Sequence, residues 1–129
     1  MTLIQKTSSR SCDEVVAALK EAASGLAMAV VAHINGQANA AKRGIQVDCD
    51  QILEIFRPDW AVKVWAADKA AGIDIPLRVH VYAQGGKTTV SYRPPSQVFA
   101  SYAHPDLTRL GVELDGIFAA LCDRALIGD

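Results

Sequence analysis

The stretch "PLRVHVYAQGGKTTVSYRPP", Pro76 to Pro95, alternates apolar and polar residues on both sides of Gly85-Gly86. Alternation of period two belongs to strands, whose side chains point to opposite faces in turn. A Gly-Gly pair enters the positive-φ conformations of a two-residue hairpin turn at no steric cost. The turn therefore sets a register. Gln84 faces Lys87, and Ala83–Thr88, Tyr82–Thr89, Val81–Val90, His80–Ser91, Val79–Tyr92 and Arg78–Arg93 follow. Leu77, Val79, Val81, Val90 and Tyr92 form one surface, which helices should cover. Arg78, His80, Tyr82, Thr89, Ser91 and Arg93 form the other.

The rest of the chain supplies those helices and further strands. Thr2 to Ser8 reads as a short strand. Ser11 followed by Glu14 has capping-box spacing, and Val15, Val16, Leu19, Ala22, Ala23 and Leu26 then recur at helical intervals until Gly25 offers a stop. The apolar run Leu26 to Ile34 predicts a second strand, Asn35-Gly36 a turn into a short Ala-rich helix ended at Gly44, and Gln51 to Phe56 a third strand. Pro58 suits a first helical turn, and the helix it opens is expected to reach Gly72, with Trp60, Ala61, Val64 and Trp65 near one side. After the hairpin comes an irregular segment. A last helix starts near Pro105, its stripe running through Leu107, Leu110, Leu114, Ile117, Phe118, Leu121 and Ala125.

Composition narrows the class. A chain of 129 residues, 50% hydrophobic, fits one domain, 1–129, with its own core. Thirteen basic and fourteen acidic side chains leave a net charge of −1, which gives no long-range pull toward nucleic acid or an anionic membrane. The longest apolar run is about half of the roughly 20 residues a membrane helix needs. The N-terminus lacks an extended apolar region, so a cytoplasmic location is expected. Cys12, Cys49 and Cys122 are odd in number, widely spaced and without a Cys-x-x-Cys pair, a pattern that fits reduced thiols. The two aspartates flanking Cys49 argue against an activated nucleophile there.

The polar hairpin stripe is the feature with chemical content. Solvent exposure alone accounts for many such stripes. Two arginines placed opposite each other nevertheless repel unless an anion, an acidic side chain or a second subunit lies between them, and Asp74 just upstream is one partner within reach. Three readings stay open: a solvated face, a pocket for a small acid, and a self-association face. Metal ligation by His33, His80 and His104 lacks any short ligand spacing. Ser91 and His80 share a face, but no orienting acid or oxyanion hole marks an acyl-transfer site. No Gly-rich loop follows a strand to cradle phosphate, and no cofactor is called for.

Four pieces, "NGQANAAKRGI", "FRPDWA", "GIDIPLRVHVY" and "GKTTVSYRPP", together resemble the domain of unknown function 302 family. That family carries an Asp-His-x-x-Asn-Ala-Ala-Lys-x-Gly segment, a Gly-Asn-Pro segment, a Leu-Asp-Leu-Pro segment and a Gly-Lys hairpin ending in Ser-Tyr, in this order. The matching positions are Asn39, Ala40, Ala41, Lys42 and Gly44, then Pro58, Asp74, Pro76, Gly86, Lys87, Ser91 and Tyr92. The resemblance covers the chain from Leu26 onward. It implies a β-α-β-β-β-β-α core similar to one repeat of the TATA-binding-protein fold with an extra short helix, and subunits that pair as dimers. Two positions depart from the pattern. Asn35-Gly36 stands for the Asp-His pair, and Arg57 for the Asn before Pro58, so activities resting on those groups are not carried over.

The sequence thus predicts an α+β fold, a mainly antiparallel sheet with helices on one face. The expected function is a non-enzymatic homodimeric binding module for a small anionic ligand, with Arg78 and Arg93 binding charge, His80, Tyr82 and Ser91 orienting it, and Asp74 and Trp65 completing the site. The alternatives are an enzyme using His80 as general acid or base, and a metal or haem carrier using His33 or His80.

Overall fold

The computed structural model describes residues 2–129. The elements run β1 (Ile4–Ser8), α1 (Cys12–Gly25), β2 (Ala29–Asn35), α2 (Gly36–Ala41), β3 (Asp50–Phe56), α3 (Pro58–Ala67), a 3-10 turn (Lys69–Asp74), β4 (Leu77–Gln84), β5 (Lys87–Tyr92), α4 (Pro95–Ala100) and α5 (Pro105–Ala125). All strand pairs are antiparallel, in the order β1-β5-β4-β3-β2. The architecture is α+β.

Gly85 and Gly86 take φ of 61° and 76°, and the register from Gln84↔Lys87 to His80↔Ser91 is the one the turn dictates. The ladder stops there. β5 ends at Tyr92, and Arg93 followed by Pro94 and Pro95 leaves the sheet for α4, so the expected Arg78–Arg93 pair is not a ladder pair.

Ser11 caps α1 through a reciprocal capping box with Glu14. Val15, Val16 and Leu19 of α1 and Leu107, Leu114, Phe118 and Leu121 of α5 are buried with Leu53, Ile55, Val79, Val81 and Val90 of the sheet. One sheet face therefore forms the core. Three boundaries differ from expectation. Ala27 at φ 58° delays the second strand to Ala29. The helix expected over Pro58 to Gly72 breaks at Asp68, whose extended backbone and side-chain cap on the Ala70 amide start the 3-10 turn. The segment expected to be irregular after the hairpin contains α4.

The expectation of reduced thiols is corrected. Cys12 and Cys49 form a disulfide, and only Cys122 is free among the described residues. Spacing along the chain could not show this, because the two residues meet only when the start of α1 docks beside the loop entering β3. Burial pushes the Cys122 thiol up to about 11. No helix among the described residues is long and apolar enough to cross a membrane.

Candidate functional site

The open face of the sheet is set by register. Glu54 of β3 pairs with Arg78 of β4, Ile52 with His80, and Asp50 with Tyr82. On β1, Gln5 pairs with Ser91 and Thr7 with Thr89. Strand β5 is covered. Gln5 Nε2 donates to the Tyr82 hydroxyl at 3.3 Å, a bridge passing over β5, and Ser91 beneath it is only 3% exposed. Ser91 is thus closed off from solvent, and the Tyr82 hydroxyl is engaged by Gln5.

Arg78, Arg93 and Asp74 do come together. They line one cleft of about 450 Å³, between the end of the 3-10 turn, the start of β4, the exit of β5 and α4; Glu54, Gln97 and Ser101 complete its polar wall. That volume lies within the range of small-molecule sites, roughly 300–1,000 Å³. Arg78 is balanced by Glu54 at 3.4 Å rather than by Asp74. The Asp74 Oδ2 instead accepts from the Tyr102 hydroxyl, a bond that raises the Tyr102 pKa because losing that proton would set two negative charges against each other. Arg93 makes no ion pair and no side-chain hydrogen bond among the described residues.

The remaining expected residues lie elsewhere. His80 Nε2 donates to Asp50 Oδ1 at 2.9 Å, and the His80 ring rests 4.6 Å from that of Tyr82. Trp65 lines a separate apolar groove of about 350 Å³ with Val31, Phe56, Arg57 and Pro58, reaching the back of the Ile75–Pro76 segment that also walls the cleft. Gly72 permits this placement. A Cβ there would lie 3.1 Å from the indole nitrogen.

A second polar group was not visible in the sequence. The Lys20 ammonium contacts His33 Nδ1 at 2.9 Å, which makes Nδ1 an acceptor and places the ring proton on Nε2, donated to Gln51 Oε1 at 2.6 Å. Gln51, 1% exposed, passes the chain on, its amide nitrogen reaching Asp13 Oδ1 at 3.1 Å and Cys49 Sγ at 3.3 Å. The one available signal was Gln51 standing in phase with Leu53 and Ile55, a polar residue on the buried stripe. Asp13 also lines a cavity of about 780 Å³ together with residues of α2 and the 45–48 loop, among them Asp48. No group of three or more His, Cys, Asp or Glu able to hold a metal ion gathers among the described residues.

The family model for the domain of unknown function DUF302 matches residues 4–123. The chain belongs to the DUF302 family. A solved DUF302 structure, an uncharacterized conserved protein from Bacillus stearothermophilus, superposes with a TM-score of 0.88 at 21% identity, covering 97% of this chain and 98% of that one. At that identity the likeness speaks for the fold alone, and it places this DUF302 member's sheet and helices in the same arrangement. No curated protein matches the chain.

Proposed function

We propose that this DUF302 protein is a non-enzymatic, homodimeric binding module whose ligand is a small anion held in the Arg78–Arg93 cleft. The observation that carries this reading is the uncompensated Arg93 guanidinium, in a cleft whose other arginine already has its carboxylate. An unpaired guanidinium beside a concave wall is suited to bidentate capture of a carboxylate or phosphate. Dimer formation draws support from β2, an edge strand without an Asp, Glu, Lys or Arg, on which Ile34 is exposed and Val31, also exposed, lines the Trp65 groove. Calorimetric titration with 4-methylpentanoate tests the reading. Arg93→Ala should weaken binding at least tenfold, about 1.4 kcal/mol, while sedimentation still reports a dimer. An unchanged affinity would contradict it.

A second reading rests on the His80–Asp50 contact, an imidazole oriented by a carboxylate as a general acid or base requires. His80 does not line the cleft, so this reading needs a substrate lying across the open sheet face. Of the carrier readings, His33 has both ring nitrogens engaged, by Lys20 and Gln51. As to location, a structural disulfide persists in oxidising compartments. The Cys12–Cys49 bond therefore supports a site of action outside the reducing cytoplasm that the polar N-terminus led us to expect.

A further inference from the structure

The cleft holds more than a cation. Glu54 and Asp74 line it along with Arg78 and Arg93, two negative groups against two positive ones. A bare anion approaching Arg93 would meet both carboxylates within the same 450 Å³. Neither carboxylate is saturated. Glu54 faces Arg78 at 3.4 Å, longer than a charge-assisted hydrogen bond, and Asp74 engages Tyr102 through Oδ2, while its Oδ1 accepts nothing from the described residues. Apart from Gln97 and Ser101, the rest of the wall is apolar, with Ile73, Ile75, Pro76 and Val98, and Ile73 is 86% exposed.

From this charge pattern, and resting on the reading of the same cleft as an anion site, we propose that its ligand is a zwitterion: an α-amino acid with a branched apolar side chain. The carboxylate sits on Arg93, the ammonium between Asp74 Oδ1 and Glu54, and the side chain against Ile73, Ile75 and Val98. A ligand of zero net charge matches a cleft of zero net charge. Each of its charged ends also finds a partner that the folded chain leaves under-used, which neither an acid nor an amine alone achieves.

Three probes of one shape separate the cases by calorimetry on the intact protein: L-leucine, its deaminated analogue 4-methylpentanoate, and its decarboxylated analogue 3-methylbutylamine. L-leucine should bind at least ten times more tightly than either. In Asp74→Asn, with the fold checked by circular dichroism, the preference for L-leucine over 4-methylpentanoate should fall at least threefold. If 4-methylpentanoate binds as well as L-leucine, or Asp74→Asn leaves the preference intact, the zwitterion is overturned and the anion reading stands. If none of the three binds, or the amine binds best, both are overturned.

Discussion

Reduction of the Cys12–Cys49 bond should lower stability by about 3–4 kcal/mol and the melting temperature by more than about 10 °C. The bond closes a loop of sequence separation 37, which contains β2 and α2 and removes much conformational freedom from the unfolded chain. It is also a native anchor. α2 has no buried residue, and Ile45 and Val47 in the following loop are exposed, so little apolar packing holds this region to α1. Melting followed by circular dichroism, with and without dithiothreitol and in Cys12→Ser/Cys49→Ser, gives the measurement. The double variant should match the reduced protein and be insensitive to reductant. Thiol titration of unreduced protein in denaturant should find one group, Cys122. Three groups, or a melting temperature indifferent to reductant, would contradict the staple.

Two Gly→Ala changes in the same helix should have opposite signs. Helix propensity favours alanine over glycine by about 1 kcal/mol at an interior position. Gly116 has nothing within 4 Å of where a Cβ would stand, so Gly116→Ala should stabilise by up to about that amount. At Gly111 a Cβ would lie 2.7 Å from the Ser96 Cα and 3.2 Å from the Pro95 carbonyl oxygen. Both are backbone atoms of α4, which cannot swing aside as a side chain can, and overpacking of this kind costs about 1–3 kcal/mol. With a Cβ only 2.7 Å from a backbone carbon the steric cost wins, leaving a net loss of up to about 2 kcal/mol in urea unfolding. The effect reaches the cleft. Ser96 is held to α5 through its amide on Asp115 Oδ1 at 2.9 Å, and the next two residues, Gln97 and Val98, line the ligand wall. Gly111→Ala should therefore also weaken ligand binding, whereas Gly116→Ala should not. Stabilisation by both changes would show that α4 and α5 do not touch as described.

What the sequence made legible was local. Gly85-Gly86 determined the hairpin register because the turn type leaves no freedom, and the α1 and α5 stripes were readable because burial repeats with the helical period. What it hid depends on elements meeting across the fold. Glu54 becomes the Arg78 partner only through the β3–β4 register, which no turn sequence specifies. Ser91 looked open on a two-stranded hairpin but is closed over once β1 docks on β5 and Gln5 reaches Tyr82. Arg93 seemed to face Arg78 in the ladder, yet the following prolines turn it out of the sheet. That turn ends the pairing and leaves both arginines on one cleft. The disulfide and the Lys20–His33–Gln51 chain are of the same kind, side chains far apart in sequence brought together by α1 lying over the β2–β3 edge.

The central claim is the location of the ligand, and amide chemical-shift mapping tests it most directly. On titration with L-leucine or 4-methylpentanoate, whichever binds more tightly, saturable shifts are expected only at and around Glu54 and across residues 73–78 and 93–101, with Arg93 and Asp74 among the largest. Shifts centred on residues 35–48, around the Asp13 and Asp48 cavity, or on the Trp65 groove would contradict it, as would the absence of any saturable shift.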